Sequence, residues 1–159
     1  MVAHDDPTDR LLRAANVDLA RRFIDAINDS WNIGALRELI AEDFVFEVPF
    51  APEWFPVRCE GREAALAFLD GVRKIMEPEN LHALTLDTYA TDPGELIAQY
   101  RSDTRILETR FPYRNEYVAR FTVRDGRIKR FVEYLDPIRY VLAIGGRVDP
   151  PPGFADARI

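Results

Sequence analysis

The sequence has 159 residues, a length typical of one compact domain. Apolar residues make up 47% and charged residues 30%, enough to bury a core and to cover it with a polar surface. The net charge of -6 argues against a nucleic-acid-binding protein, which would present a basic surface. The single cysteine, Cys59, excludes an internal disulfide, and no apolar run is long enough for a membrane span. We therefore expect a cytoplasmic protein without a nucleic-acid or membrane partner.

The first half of the chain has mainly helical spacing. Residues 1–13 are rich in aspartate and are predicted to be a flexible leader. Further helices are predicted over 33–42 and 61–76, with a strand over 44–48. Residues 49–58 contain three prolines and three aromatic residues and are predicted to form a structured loop. The helix after the leader has apolar residues at steps of three and four, at Val17, Ala20, Ile24, Ile27 and Trp31.

The second half of the chain is rich in strand-forming residues. Strands are predicted over 81–90, 95–107, 113–123 and 127–135, and a closing helix over 137–144. We expect one domain over residues 14–146, followed by a Pro-rich tail over 147–159. Helices followed by an antiparallel sheet predict an α+β fold. A twisted sheet around the N-terminal helices makes a cone whose hollow end can hold a small ligand.

Alternation along the last predicted strand gives Phe131, Glu133 and Leu135 one face, so a carboxylate lies between two apolar side chains. If that face lines the hollow, burial raises the pKa of Glu133 and an adjacent Arg101 lowers it. Arg101 and Asp103 share a face of the second predicted strand, and we expect them beside Glu133 as catalytic residues. The alternative is that the three charges form a surface ion-pair ladder.

Further residues are candidates for contact with a substrate. Glu47 is the polar candidate on the first strand, and Trp54 lies in the Pro-rich loop at the expected cavity mouth. The aromatic candidates are Phe68, Tyr100 and Phe131, for which plain core packing is the alternative. Two histidines and one cysteine leave little material for a metal site, so neither a metal nor a cofactor is expected.

The order of elements and the segment 111–137 resemble the SnoaL-like, nuclear-transport-factor-2-like superfamily. The run Asp125-Gly-Arg-Ile-Lys-Arg130, followed by Glu133-Tyr-Leu-Asp136, is similar to the phenazine biosynthesis A/B branch. Together with residues 17–49, the resemblance covers most of the chain. It implies the cystatin-like α+β barrel, a curved antiparallel sheet wrapped around N-terminal helices. It implies less about activity, because this fold hosts enzymes of several classes and non-catalytic domains.

Two enzyme branches align with residues of this chain. In the phenazine branch a glutamate on the last strand donates and accepts protons, and it aligns with Glu133, whereas Phe68 stands where that branch has a histidine. In the limonene epoxide hydrolase branch, an Arg-x-Asp on a middle strand acts with an acid on the last strand. The matching residues are Arg101, Asp103 and Glu133. The Tyr and Asn that hold water in that branch are replaced here, the Asn by Glu47.

These observations predict a cofactor-free acid/base enzyme of isomerase, cyclase or dehydratase type, acting on a hydrophobic cyclic metabolite in the cone. One alternative is an epoxide hydrolase-like activity through Arg101, Asp103 and Glu133. Another is a non-catalytic ligand-binding or dimerisation module of the same fold. A homodimer is expected in either case, through an apolar strip on the outer sheet face formed by Val118, Ile128, Val132 and Tyr134.

Overall fold

The chain opens on a long helix, α1 (Pro7–Asn28), in the computed structural model, which describes residues 6–55 and 58–150. The helix begins inside the predicted leader. The Asp6 side chain accepts a hydrogen bond from the Thr8 backbone N–H at 2.9 Å, and Pro7 occupies the first helical turn, two features that favour a helix start. The predicted flexible leader is therefore helical from Pro7, and residues 1–5 lie outside the described residues.

Three shorter helices follow in the described part of the chain, each ending before its predicted end: α2 (Ile33–Leu39), α3 (Arg62–Val72) and α4 (Pro137–Ala143). Asn32 caps α2, and its side chain accepts from the Ala35 N–H at 3.0 Å. The α2 helix stops early because Ile40 takes an extended backbone and begins the first strand. None of the helices in the described part of the chain is sufficiently long and apolar to span a membrane.

Eight strands make up the rest of the fold in the described residues. Their bounds are β1 (Ile40–Glu47), β2 (Arg58–Glu60), β3 (His82–Tyr89), β4 (Asp92–Arg101), β5 (Thr104–Arg105), β6 (Pro112–Tyr113), β7 (Glu116–Arg124) and β8 (Arg127–Leu135). Six of them form one curved sheet in the order β2-β1-β8-β7-β4-β3, and β5 pairs with β6. The β1–β8 pair is parallel and the other pairs are antiparallel. The predicted α+β class, with a curved and mainly antiparallel sheet, is confirmed.

The second and third predicted strands are each divided by a break. The predicted strand over 95–107 ends as β4 at Arg101 and resumes as β5. The predicted strand over 113–123 is divided into β6 and β7 around Asn115. At the break the Ser102 backbone N–H donates to the Asn115 carbonyl at 3.0 Å, and Asn115 is buried. A buried amide with its own hydrogen bonds replaces continuous strand pairing here.

Helix α1 fills the concave face of the sheet with an aromatic core. The Phe23 ring lies 5.0 Å from that of Phe131 on β8 and 5.6 Å, edge to face, from that of Phe121 on β7. All three side chains are almost fully buried. The core therefore occupies the centre of the cone, and free space lies toward the end where α3, α4 and β8 meet.

We expect Phe23→Ala to lower the free energy of unfolding by about 3–5 kcal/mol, because it opens a cavity among rigid rings. Leu12→Ala is the matched control in the same helix: Leu12 is 48% exposed, so its loss should cost less than about 0.5 kcal/mol. Urea denaturation measures both values. A Phe23→Ala cost close to that of Leu12→Ala would contradict the described core.

Candidate active site

Glu133 projects from β8 toward the inside of the cone. In the sheet it is in register with Ala119 of β7, which is in register with Ala98 of β4. Both alanines are completely buried, and their small side chains leave room beside the carboxyl group. On the same inward face Phe131 precedes Glu133 in the core. The alternation predicted for this strand therefore holds, and the sheet aims one carboxyl at the hollow end.

The cavity, as we call it below, is the space that Glu133 faces between β1, α3, β6, β7, β8 and α4. The centre of a water molecule can take positions over about 40 Å³ in it, room for a few waters. Glu133 and Glu79 are the two carboxyl groups that the described residues place in its wall. A larger set is apolar and includes Phe46, Val48, Phe68, Leu69, Val72 and Met76. The cavity is therefore narrow and mostly apolar, and a ligand the size of a ring can bind only if side chains of the wall move.

Among the described residues, one hydrogen bond holds the carboxyl group of Glu133. The Tyr100 hydroxyl donates to its Oε1. Burial raises the pKa of Glu133 from 4.5 to about 7, and the Tyr100 hydrogen bond opposes part of that rise because it favours the charged form. Glu133 is therefore divided between its acid and base forms near neutral pH, the condition in which a carboxyl group both accepts and returns protons.

Glu79 is a second carboxyl group in the cavity wall, in the connection between α3 and β3. Its backbone is fixed, because its carbonyl accepts from the Asp103 N–H at 3.1 Å. Its side chain is only 7% exposed, and none of the described residues hydrogen-bonds its carboxyl group. Burial first, and the nearby charge of Glu133 second, raise the pKa of Glu79 well above its usual range. Burial and the charge of Glu133 therefore both favour the protonated form of Glu79.

Three buried tyrosines, Tyr100, Tyr113 and Tyr117, lie on strands near the two carboxyl groups. Tyr100 and Tyr117 stack with ring centroids 5.0 Å apart, and the Tyr117 hydroxyl donates to the Tyr113 hydroxyl at 3.1 Å. Burial is the main cause that raises the pKa of each phenol, so all three are neutral donors at ordinary pH. The site thus holds two carboxyl groups of unequal acidity and a set of oriented hydroxyls.

Arg101 and Asp103 do not lie beside Glu133, and the predicted grouping of the three is wrong. Tyr100 and Ser102 are the buried residues of this segment, so alternation turns Arg101 and Asp103 outward. There the Arg101 guanidinium lies 3.7 Å from a carboxylate of the neighbouring strand β7, and Asp103 accepts from Arg114 at 2.9 Å. Both pairs are exposed. The surface ion-pair alternative therefore describes Arg101 and Asp103, though not Glu133.

Glu47 and Phe131 are also outside the cavity. Glu47 lies on the outer side of β1, where it accepts from Arg58 and, at 2.6 Å, from the Arg130 Nε. Phe131 is 1% exposed and packs in the aromatic core. The prediction that these two line the cavity is wrong, because β1 alternates and turns Phe46 rather than Glu47 inward, and because α1 covers Phe131.

The remaining predicted residues lie at or near the cavity. Phe68 is in its wall, with its ring centroid 5.3 Å from that of Phe46. Tyr100 touches the cavity through Glu133 rather than through its own lining surface. Trp54 is 61% exposed and stacks on Tyr140, a residue of the wall, at 5.9 Å. It lies on the outside of that wall.

Sequence reasoning missed Glu79, Tyr113 and Tyr117. Tyr117 could have been found from the sequence, because it shares the inward face of β7 with Ala119 and Phe121 at every second position. No such pattern marks Glu79, because it follows a proline in a connection without periodicity. In the part of the chain that the structure describes, no three His, Cys, Asp or Glu side chains come together as metal ligands.

The model of the SnoaL-like domain family matches residues 20–131. That match covers α2, α3 and most of the sheet, and it ends two residues before Glu133. The chain belongs to the SnoaL-like family.

Two proteins resemble this SnoaL-like chain along most of its length. The uncharacterized protein YesE of Bacillus subtilis is 37% identical over 109 residues, which are 69% of this chain and 74% of YesE. The uncharacterized PhzA/B-like protein PA3332 of Pseudomonas aeruginosa is 29% identical over 112 residues, 69% of this chain and 76% of that protein. The predicted likeness to the phenazine A/B branch is confirmed.

Solved structures share the SnoaL-like fold. A candidate isomerase from Bacillus subtilis superimposes with a TM-score of 0.78 at 30% identity, covering 84% of this chain and 95% of the other. A phenazine biosynthesis-related protein of Pseudomonas aeruginosa gives 0.75 at 18% identity, covering 90% and 93%. An epoxide hydrolase of Mycobacterium tuberculosis, like limonene epoxide hydrolase, gives 0.62 at 15% identity, covering 84% and 92%. The last two show a shared fold.

Glu133 should make the SnoaL-like domain less stable as the pH rises. Between 4.5 and about 7 the folded chain holds a proton on Glu133 that the unfolded chain has lost, so stability falls through this window. We expect Glu133→Gln to remove up to about 3 kcal/mol of that fall. Urea denaturation at the two ends of the window measures it.

The matched control for this measurement is Glu60→Gln. The Glu60 side chain is 69% exposed, so folding does not bury it and its removal should leave the pH dependence as it is in the unaltered chain. An equal pH dependence in Glu133→Gln and in the unaltered chain would show that Glu133 is not desolvated.

Proposed function

We propose that this protein is an enzyme that moves protons on a hydrophobic small molecule in the cavity, without a cofactor, as an isomerase or cyclase. The observation that carries the proposal is the Glu133 carboxyl group on the apolar cavity wall, with its pKa raised to about 7. A carboxylate that has been removed from water is a stronger base than one on the surface, and it is still ionised in part at neutral pH.

Glu133 is the proton shuttle and Glu79 the complementary acid in this proposal. Asp103, the acid that the sequence predicts, faces outward and pairs with Arg114. Glu79 lies in the cavity wall, where burial and the charge of Glu133 favour its protonated form. Two carboxyl groups whose environments separate their pKa values divide the roles of base and acid. Tyr100 is a positioning residue, because it holds Glu133 and does not line the cavity.

The size and lining of the cavity support a compact apolar substrate. Phe46, Phe68 and Met76 offer flat or flexible apolar surface, and Met76 is the most adaptable of them. A cyclic metabolite would enter by displacing such side chains. The related structures with enzyme names include isomerase, pinacolase and polyketide cyclase, which agrees with proton transfer on carbon skeletons.

Epoxide hydrolysis has less support. That reading required Arg101 and Asp103 to act with Glu133, and both lie on the outer side of the sheet. Glu47, the substitute for the water-holding asparagine, is held outside the cavity by Arg58 and Arg130. The arrangement of the carboxyl groups favours proton transfer to and from the substrate itself.

The proposal predicts hydrogen exchange on carbon. We expect the chain, incubated in D₂O with a library of small cyclic metabolites, to introduce deuterium at carbon in at least one of them, and Glu133→Gln to slow this by about 10²–10⁴-fold. The rate should rise with pH to about 7, as Glu133 ionises. Mass spectrometry of the metabolites measures it.

Asp103→Asn is the matched control for the exchange assay, because Asp103 is a carboxylate outside the cavity. It should exchange at the rate of the unaltered chain. Exchange that survives in Glu133→Gln would remove Glu133 from the mechanism. A chain that binds library compounds and exchanges none of them is the non-catalytic binding module instead.

We propose that two copies pair through the outer sheet face. The strip is smaller than predicted: Ile128 is buried inside, because an extra residue at a bulge in β8 shifts the alternation, and Val132 is buried as well. Val118, 42% exposed, remains, and Phe50 packs on Tyr134 beside it. We expect a dimer by sedimentation and a monomer for Val118→Asp. A monomeric unaltered chain would contradict the pairing.

A further inference from the structure

A chain of hydrogen bonds runs from the end of β4 to the cavity. The Ser102 hydroxyl bonds the Tyr117 hydroxyl at 3.2 Å, and the Tyr117 hydroxyl donates to that of Tyr113 at 3.1 Å. The Asn115 side-chain amide donates to the same Tyr113 oxygen at 2.9 Å. The four residues are buried: none is more than 4% exposed. In a buried network of this kind, each group either donates or accepts in each hydrogen bond. The order of donors and acceptors decides whether the group at the cavity has a donor or an acceptor left for a ligand.

The orientation of the Asn115 amide is fixed by the backbone around it. Its oxygen accepts from the Glu116 N–H at 2.8 Å and from the Asp136 N–H at 3.1 Å. Its nitrogen donates to the Asp136 carbonyl at 3.0 Å and to Tyr113. An exchange of the amide oxygen and nitrogen would set two donors against each other at the backbone. Asn115 therefore acts only as a donor toward Tyr113.

Tyr113 is left with one hydrogen to give. Its oxygen accepts from both Asn115 and Tyr117, which occupies both lone pairs. Its own O–H has no acceptor among the described residues, although the side chain is only 2% exposed and lies in the cavity wall. By contrast, the Tyr100 hydroxyl is used by Glu133 and that of Tyr117 by Tyr113. Of the three phenols, Tyr113 is therefore the one whose O–H can donate a hydrogen bond to a ligand in the cavity.

We propose that the Tyr113 hydroxyl donates a hydrogen bond to a carbonyl oxygen of the substrate, so that the substrate is a carbonyl compound with a removable hydrogen on the neighbouring carbon. This inference rests on the proposed role of Glu133. The cavity supplies a base on β8 and a donor on β6, and an enolisable carbonyl compound presents a C–H and an oxygen to match them. Two hydrogen bonds accepted by Tyr113 make its O–H a stronger donor than that of an isolated phenol.

The proton-transfer step balances without a further reactant. The Glu133 carboxylate takes the proton from the carbon next to the carbonyl group. The C–H electron pair becomes the carbon–carbon double bond of an enolate, and the carbonyl π pair moves onto the oxygen. The Tyr113 O–H donates a hydrogen bond to this oxyanion and stabilises its negative charge. Glu133 then returns the proton to carbon, at the same position or at a conjugated one. Donors aimed at a developing oxyanion stabilise it most, because they need no rearrangement.

The test measures binding of an oxyanion in the form of 4-nitrophenol, whose neutral and ionised forms absorb at different wavelengths. The host is Glu133→Gln, which resembles the site after the base has taken its proton. We expect this variant to bind the ionised probe saturably. Adding Tyr113→Phe should weaken that binding about 10- to 100-fold, the value of a hydrogen bond to a charged group. Adding Tyr134→Phe, on the outer face, should leave it within twofold.

A second, milder variant tests the same hydrogen bond in case Tyr113→Phe does not fold. Tyr117→Phe removes one of the two hydrogen bonds that Tyr113 accepts, and we expect a smaller loss of affinity, about threefold to tenfold. If Tyr113→Phe does not fold, Tyr117→Phe decides, and an affinity equal to that of the Glu133→Gln host overturns the proposal. The proposal is also overturned if the host binds no ionised probe, or binds it as tightly after Tyr113→Phe.

The exchange assay separates this inference from the function on which it rests. If exchange is slowed in Glu133→Gln but the affinity for the ionised probe is unchanged by Tyr113→Phe, then Tyr113 is not the carbonyl donor, and Glu133 is still the proton shuttle. Exchange that ignores Glu133 refutes the shuttle, and the probe result then describes a binding site alone.

Discussion

The desolvation of one carboxyl group is the constraint on which this site depends. Glu133 of β8 is in register with Ala119 of β7 and, beyond it, Ala98 of β4. The sheet therefore positions the carboxyl group beside two small side chains that leave space next to it. Removing that carboxylate from water is costly, and the cost appears as a pKa near 7. A fold stabilised by an aromatic core can carry that cost at its hollow end.

The polar groups around Glu133 divide into separate roles. Tyr100 holds the carboxylate, Glu79 is a second buried carboxyl group whose pKa is raised, and Tyr113 has an O–H without an acceptor among the described residues. None of these depends on a charged partner, since the arginines of the sheet lie on its outer side. Among the described groups in the cavity wall, Glu133 is the one whose pKa is raised to about 7, because apolar walls surround it.

Period-two alternation predicted the inward face of Glu133 correctly, because the residues two positions before and after it, Phe131 and Leu135, are apolar and pack in or against the core. The same alternation does not choose a face for Arg101 and Asp103, since it allows two, and the buried residues proved to be Tyr100 and Ser102. Helix and strand types followed from composition, whereas the break at Asn115 depended on a buried amide that periodicity does not reveal. Glu79 is brought to the cavity by the tertiary fold alone.

Direct titration of Glu133 tests the central claim. Carboxyl carbon resonances, assigned by comparison with Glu133→Gln, report its ionisation across the pH range. The account predicts a Glu133 pKa of about 7. A titration at the ordinary value of 4.5 would mean that the carboxylate is fully hydrated, and it would contradict the desolvated site.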